Sequence, residues 1–446
     1  MKILHYFLGF PPYRSGGLTK YAIDLMESQV ADGNTVAALW PGRMKLSSKK
    51  VSIKRGRDVN NVGNYEIVNP LPVPLDEGIK KPAGFMQSTD MAVYIAFLGY
   101  LKPDVIHIHT LMGLHKEFVD AAKQLGIRTV FTTHDYFGLC PKVTLYRNRT
   151  TCSFDKDCSM CAGCNSSALS DAKIYLLQSP LYRAIKNSKL VKLLRRNHRA
   201  AFFDENQAET ESINTASANE NYKKLRDFYI SILNEIDLIQ YNSELTRSVY
   251  ERYLNHKNSK VLTITHKNIS DNRETTEHIE SDKLRLICLA PAKPFKGFGV
   301  IKAALDKLWE SGRRDFELRL FSPVENPSEY MIITEDFSYD EMPKIFSAAD
   351  VLVAPSVWYE TFGFTVLEAL SYGVPVITSE HVGAKDVAKE GAIIVEAGSV
   401  ESFMKAVESL NAQTLEQLRQ GVMRCEIKTW NAFMKENYEL YKSEKQ

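Results

Sequence analysis

Residues 355–376 read Pro355-Ser356-Val357-Trp358-Tyr359-Glu360-Thr361-Phe362-Gly363-Phe364-Thr365-Val366-Leu367-Glu368-Ala369-Leu370-Ser371-Tyr372-Gly373-Val374-Pro375-Val376. The pattern is a loop followed by a buried helix, with Glu360 on the loop and Glu368 on the helix. Carboxylates so placed can grip two hydroxylated parts of one ligand. The backbone N–H groups of Thr361, Phe362, Gly363 and Phe364, at the helix start, face an anion. The plain alternative is a strand-to-helix loop whose helix carries a glutamate for its macrodipole.

Outward from this stretch, short apolar runs alternate with helical patterns. Leu284 to Ala290, Glu317 to Phe321, Met331 to Thr334, Val351 to Ala354, Val374 to Thr378 and Ala392 to Val395 read as strands. Helices are expected at Val300 to Ser311, Tyr339 to Ala349 and Glu368 to Tyr372. The first third repeats the rhythm, with strands at Ile3 to Phe10, Thr35 to Leu39, Val105 to Ile108 and Thr129 to Thr133. Thr19 to Asp32, Met86 to Leu101 and Leu114 to Gly126 read as its helices. Strands alternating with helices imply parallel, doubly wound sheets that bind ligands at the strands' carboxyl ends. The expected organisation is a first domain over 1–255, a polar linker over 256–283, a second domain over 284–413 and a helical tail over 414–446. Within the first domain a Cys-rich loop (140–164) and a helical insertion (165–223) interrupt the rhythm.

With its flanks Val351-Leu352-Val353-Ala354-Pro355-Ser356 and Gly373-Val374-Pro375-Val376-Ile377-Thr378, then Val382-Gly383-Ala384, the stretch resembles the Glu-x7-Glu signature of the retaining glycosyltransferases of family 4. The resemblance implies an α/β GT-B fold, two Rossmann-like domains facing a central cleft. It implies a UDP- or GDP-linked sugar donor and a glycan or lipid-linked acceptor of the bacterial polysaccharide type. In that reading Glu360 holds sugar hydroxyls, Glu368 holds the nucleotide ribose, and the tail crosses back to the first domain.

After the first strand, Tyr13-Arg14-Ser15-Gly16-Gly17-Leu18-Thr19-Lys20 opens a helix. Gly16 and Gly17 let backbone approach a ligand, and the helix N-terminus favours phosphate; in the family this loop lies against the donor diphosphate and the acceptor. Along Val105-Ile106-His107-Ile108-His109, strand alternation turns both histidines to one face. The nearest carboxylate, Asp104, falls on the other face, and no third metal ligand is evident. The resemblance gives His109 a donor-sugar contact and leaves His107 in the core. His134-Asp135, at the next strand's end, suits acceptor contact or proton handling as well as a turn cap.

In the family an Arg and a Lys clamp the diphosphate, in a Gly-Arg-Leu then Lys-Gly pattern. Here the text is Leu289-Ala290-Pro291-Ala292-Lys293-Pro294-Phe295-Lys296-Gly297. Lys296 matches the lysine, Ala290 or Pro291 replaces the arginine, and Lys293 is the candidate second charge, without bidentate geometry. By resemblance the diphosphate leaves under stabilisation by these lysines and backbone amides, and no cofactor is required for catalysis.

Five of the seven cysteines, Cys140, Cys152, Cys158, Cys161 and Cys164, cluster closely. In a cytoplasmic chain this spacing points to a structural zinc, with an iron–sulfur cluster or free thiols as alternatives. Residues 181–203 carry Arg183, Lys186, Lys189, Lys192, Arg195, Arg196 and Arg199 and no acid. A spacing of three slips by about 60° per step, so this is either a solvated helix or an anionic-membrane contact.

A net charge of +2 argues against nucleic acid as a general partner. His5 and Pro11-Pro12 break the N-terminal apolar run, which reads as a strand rather than a signal peptide, so a cytoplasmic location is expected, peripheral on the membrane's inner face if the basic segment binds lipid. A non-catalytic nucleotide- or glycan-binding module is the main alternative. A dinucleotide oxidoreductase lacks its Gly-x-Gly-x-x-Gly fingerprint here.

Overall fold

A computed structural model of the chain describes residues 1–45, 47–74, 78–147, 150–152, 155–186, 188, 191, 215–334 and 337–442. Among the described residues the strands, in chain order, are β1 (Lys2–Tyr6), β2 (Thr35–Pro41), β3 (Ser52–Arg55), β4 (Gly63–Val68), β5 (Val105–Ile108), β6 (Arg128–Thr132), β7 (Tyr146–Arg147), β8 (Thr150–Thr151), β9 (Leu238–Tyr241), β10 (Ser259–Val261), β11 (Leu284–Cys288), β12 (Phe316–Leu320), β13 (Met331–Ile333), β14 (Val351–Ala354), β15 (Val376–Ser379) and β16 (Ala392–Val395). They build an eight-stranded sheet, β10-β9-β6-β5-β1-β2-β4-β3, a six-stranded sheet, β13-β12-β11-β14-β15-β16, and the small β7-β8 hairpin. Every pairing in the two large sheets is parallel except β3 on β4.

This is the two-domain α/β architecture the alternating pattern implies. The central strands are buried on both faces, so they read as continuous apolar runs such as Val351–Ala354. In each sheet the strand order reverses once, between β1 and β5 in the first and between β11 and β14 in the second. A doubly wound sheet opens its ligand crevice at that switch point, beyond the carboxyl ends of the flanking strands. The loops that emerge there carry Gly16-Gly17 and His109 from the first sheet, and Lys296 and Glu360 from the second.

Several expectations need correction. Residues 259–261, inside the expected linker, form β10 on the open side of β9. Residues further on are fastened to the second domain: Asn272 N–H donates to the Ser371 carbonyl, and Arg273 Nη1 to the carbonyls of Val422 and Cys425. The helix expected at Tyr339 to Ala349 is a capped 3-10 turn, Tyr339–Glu341, followed by a short helix, Met342–Ser347. The expected insertion ends inside a long helix, Ala216–Glu235, that packs on the first domain's core through Tyr222, Leu225, Tyr229 and Leu233.

The tail divides its two helices between the domains. Ala412–Met423 lies on the second, where Gly421 is so close to Glu390 that an added Cβ would sit 2.2 Å from its carbonyl oxygen. Trp430–Lys442 lies on the first, with Trp430 Nε1 donating to Ser28 Oγ at 2.9 Å and the Tyr438 hydroxyl to Asp32 Oδ2 at 2.9 Å. Phe433 and Tyr441 from this helix share one apolar cluster with Ile3 and Val130 of the first sheet and Phe346 and Val366 of the second domain.

Gly297 seats the Lys296 turn. Its φ is +85°, and an added Cβ would lie 2.0 Å from the Pro355 carbonyl oxygen. Gly297→Ala therefore combines left-handed strain with a backbone clash, and about 2–4 kcal/mol of destabilisation is expected. Urea denaturation of the second domain, followed by its tryptophan fluorescence, measures it.

Candidate active site

On the second domain, Lys296 and Glu360 meet. Lys296 Nζ lies 2.5 Å from Glu360 Oε1, and the Ser356 hydroxyl donates to Glu360 Oε2 at 2.5 Å. Both charged side chains are 18% exposed, so each compensates the other in a half-buried setting. The Lys296 ammonium also lies 5.1 Å from the Trp358 ring centre. Glu360 is fixed through its backbone, which donates to the His381 carbonyl and accepts from Gly383 N–H. Gly363, with φ +97°, then turns the chain into the helix Phe364–Ser371. One turn on, Glu368 is buried, and its Oε1 accepts from the Tyr339 hydroxyl at 2.8 Å and meets His266 Nε2 at 3.1 Å. The two glutamates thus occupy a loop and the following helix, with the helix start, whose first N–H groups have no intrahelical acceptor, between them.

Thr361 joins the domains. Its carbonyl accepts from Ser243 Oγ and Thr246 Oγ1, both at 2.8 Å, and its hydroxyl donates to the His134 carbonyl at 3.2 Å. Arg252 Nη1 donates to the Tyr359 hydroxyl beside it. The Phe362 side chain is buried at 2% exposure and belongs to the apolar core.

On the first domain four imidazoles form a chain whose proton positions follow from one amide. Gln29 Nε2 donates to the Tyr441 hydroxyl at 3.1 Å, so Gln29 Oε1 faces His5 and accepts from its Nε2 at 2.7 Å. Burial holds His5 neutral, with a pKa near 4, so its Nδ1 accepts from His109 Nε2 at 2.9 Å. His109 Nδ1 in turn accepts from His134 Nε2 at 3.3 Å, and His134 Nδ1 from Asn242 Nδ2 at 3.5 Å. The Tyr441 hydroxyl donates to His107 Nδ1, whose Nε2 donates to Thr132 Oγ1, each at 2.6 Å.

His107 is thus a satisfied core residue. His109 is fully buried, and both its nitrogens are engaged within the first domain, so its side chain orients His134 and does not itself face Glu360. The third imidazole missing from the His-x-His reading is His5, brought beside His107 by the β1–β5 register. Ligand atoms of His5, His107 and His109 lie within 4.8 Å of one another. All six of their ring nitrogens already hold hydrogen bonds, which fits a polar core more than a metal centre.

Asp135 is half-buried, and desolvation raises its pKa to about 6 against the bonds it accepts from Phe137 N–H and the Thr110 hydroxyl. Gly16, with φ +119°, caps the helix Gly17–Ala31, and an added Cβ at Gly16 or Gly17 would meet nothing within 4 Å. Lys20, on that helix, lies 5.8 Å from the Tyr339 ring centre and so faces the Glu368 side of the second domain. Lys293 lies 5.3 Å from the Phe295 ring centre.

Of the five clustered cysteines, Cys140, Cys158 and Cys161 lie near Arg226, whose Nε donates to the Leu139 carbonyl and whose Nη2 reaches Cys161 Sγ at 3.9 Å. Burial first, then neighbouring Cys140, Cys161 and Cys164, push the Cys152 thiol up to about 12. Among the described residues these thiols do not gather three metal-ligating atoms within 4.8 Å. Of the basic segment, Arg183 pairs with Glu66 at 2.8 Å and Lys186 donates to the Pro12 carbonyl at 2.6 Å, so both serve the first domain itself. Lys189, Lys192, Arg195, Arg196 and Arg199 lie outside the described residues. No helix among the described residues is long and apolar enough to cross a membrane.

The buried imidazoles make stability pH-dependent. His5 and His115 are lowered to about 4 and His134 to about 3 by burial, and His107 and His109 well below the usual value. Below about pH 6.5 the unfolded chain binds protons that the folded one refuses, so each such histidine removes up to about 1.4 kcal/mol of stability per pH unit. Asp135 has the opposite sign, since its raised pKa favours the folded state as pH falls through 6. Five histidines outweigh one carboxylate, so the urea midpoint should fall steeply between pH 6.5 and 4.5; a flat profile there contradicts the neutral imidazole chain.

The second domain matches the family described as "Glycosyl transferases group 1" over residues 274–421, and the first matches "Glycosyltransferase Family 4" over 15–156. Together these take in about two thirds of the chain. Among curated relatives, a putative glycosyltransferase YtcC of Bacillus subtilis is 32% identical over 83 residues, 18% of this chain and 20% of that protein. The O-antigen chain mannosyltransferase B of Escherichia coli is 29% identical over 105 residues, 21% of this chain and 27% of that protein. These alignments thus span well under half the length of either relative. Two solved structures share the fold over nearly the whole chain. Sucrose-phosphate synthase of Thermosynechococcus elongatus has TM-score 0.56 and 13% identity, covering 99% of this chain and 98% of that one. Anabaena Alr3699/HepE in complex with UDP has TM-score 0.56 and 12% identity, covering 99% of each. With both domains matched and the site at both switch points, the chain belongs to the family-4-type glycosyltransferases of the GT-B fold.

Proposed function

We propose that the protein is a retaining hexosyltransferase that moves a sugar from a UDP- or GDP-linked donor to a glycan or lipid-linked oligosaccharide acceptor in capsular, exopolysaccharide or O-antigen synthesis. The observation that carries this reading is the Lys296–Glu360 pair at the head of the helix bearing Glu368. A diphosphate is the natural competitor for Lys296. When it takes the ammonium, Glu360 is released to accept sugar hydroxyls while Ser356 keeps its Oε2 in place. Glu368 offers its Oε2 to a ribose hydroxyl, since Tyr339 and His266 both occupy Oε1. The N–H groups at the helix start and Lys296 stabilise the charge that develops on the leaving diphosphate, with Lys293 as a second point charge. That diphosphate, rather than a protein carboxylate, helps take the proton of the incoming hydroxyl. His134 stands on the acceptor side, oriented through His109 and neutral at physiological pH, and the half-buried Asp135 follows it in the chain.

The relatives named for O-antigen and UDP support this choice of donor and acceptor class. Catalysis needs no resident metal in this reading. A structural zinc on Cys140, Cys152, Cys158, Cys161 and Cys164 would have to draw these thiols together, in contact distance of Arg226. Association with the inner face of a membrane rests on the basic stretch beyond Lys186.

A panel of nucleotide sugars screened by thermal shift tests the donor, since a ligand of the folded state raises its stability with affinity and concentration. Glu368→Ala should weaken the stabilising donor by about 10- to 100-fold, the loss of charge-assisted hydrogen bonds; unchanged affinity removes the ribose assignment. Lys296→Ala should lower kcat by about 10²–10³ with a smaller change in KM, as for loss of a donor to a developing oxyanion. Metal analysis after mild purification should find about one zinc per chain, and less than that removes the zinc.

A further inference from the structure

Between Trp40, Glu66 and Arg183 the first domain holds an unassigned cavity of about 440 Å³. Its walls include Arg43, Lys54, Arg55, Arg57 and Arg183, and a single carboxylate, Glu66. Arg43 and Arg183 both pair with Glu66, which is buried between them, and Arg55 meets Asp58 at 3.4 Å. Five cations against two carboxylates leave an excess of positive charge in a concave, partly desolvated setting, where a field is focused on a bound anion.

The donors are also incompletely used. Arg183 is clamped between rings, its guanidinium carbon 4.2 Å from the Tyr13 ring centre and 4.9 Å from that of Trp40. One nitrogen, Nη1, serves Glu66. Its Nε and Nη2, and the Nε of Arg43, are buried without a hydrogen-bond partner among the described residues. Buried guanidinium N–H groups left so are costly unless a ligand completes them. Stacking fixes the guanidinium plane, and a fixed fork matches the oxygens of a phosphate or carboxylate.

The position suits an acceptor. Trp40 is the last residue but one of β2 and Arg43 follows the strand, at the same end of the sheet where the chain leaves β1. Tyr13 lies in the loop that leads to Gly16-Gly17, and Lys186 ties the same loop through the Pro12 carbonyl. The cavity therefore borders the loop that opens the Gly17–Ala31 helix, through the contact of Tyr13 with Trp40 and Arg183. Its volume is within the range of small-molecule sites.

We propose that this basic cavity binds an anionic group of the acceptor, either the diphosphate of a lipid-linked glycan or the carboxylate of an acidic sugar. The inference rests on the transferase reading above and adds the acceptor's charge. Lys54 and Arg57 are the residues to test, because neither supports Glu66 and neither belongs to the donor site.

The test is titration of the full chain, by calorimetry, with farnesyl diphosphate, methyl glucuronide and neutral methyl glucoside. At least one anionic probe should bind, more weakly at 200 than at 50 mM salt as a charge-driven contact requires, and the glucoside should not. The double variant Lys54→Gln/Arg57→Gln should weaken that probe by about tenfold or more while keeping the wild-type thermal shift with the nucleotide sugar; the diphosphate-to-carboxylate preference tells which source supplies the anion. Binding of neither anion, equal binding of the glucoside, or an affinity unchanged by the double variant overturns the proposal with the donor reading intact. Absence of any nucleotide-sugar shift in the unmodified chain overturns the donor reading first, and the acceptor assignment with it.

Discussion

Parallel strands deliver all their outgoing loops to one edge of a sheet, and the strand order reverses at one place along that edge. This constraint positions nearly everything in the site. In the first sheet the reversal separates β1 from β5, so the Gly16-Gly17 loop and His109 emerge side by side although 92 residues separate Gly17 from His109. In the second it separates β11 from β14, and Lys296 and Glu360 meet there as an ion pair. Thr361 then ties the two edges together through Ser243, Thr246 and the His134 carbonyl, while the Trp430–Lys442 helix closes the far side through Ser28, Asp32 and Gln29.

The polar groups near the cleft follow one logic: each buried charge or ring nitrogen has a partner inside the protein until a ligand replaces it. Lys296 and Glu360 share a half-buried contact that neither could keep alone without desolvation cost. On the other side the cost of burying three imidazoles and half-burying a fourth, His134, is met by keeping them neutral and chaining them. The chain begins at Gln29 and Tyr441, so the C-terminal helix sets the tautomer of residues that lie over 300 positions earlier in sequence. A small error in that helix would be felt as a rotated His134, some way from the change itself.

How much of this was legible before the fold was known differs by kind of signal. The two doubly wound domains and most central strands were, because strands buried on both faces write themselves as apolar runs; Val351–Ala354 and Val105–Ile108 fall where the pattern puts them. The edge strands β3 and β10, and β4 next to an edge, were not, because they carry Lys54, Arg55, Asn64 and Lys260 and no long apolar run. The carboxylate spacing and Lys296-Gly297 were legible, since each lies within one short local motif. Their direct pairing was not, because it needs the β11–β14 adjacency. His5 was missed for the same reason: its only signal was a histidine at matching depth in two apolar strands, His5 opposite His107. The direct sugar contact given to His109 overlooked that a strand-end residue can be roofed by its neighbours, here His5 and His134.

The account stands on Lys296 exchanging a carboxylate for a diphosphate. A crystal structure of the full chain with the nucleotide sugar that stabilises it reads this directly. The account predicts Lys296 Nζ within hydrogen-bond distance of the diphosphate, Glu360 turned to sugar hydroxyls, and Glu368 on the ribose. A bound donor with the Lys296–Glu360 contact still closed, or seated away from the head of the Phe364–Ser371 helix, would contradict it.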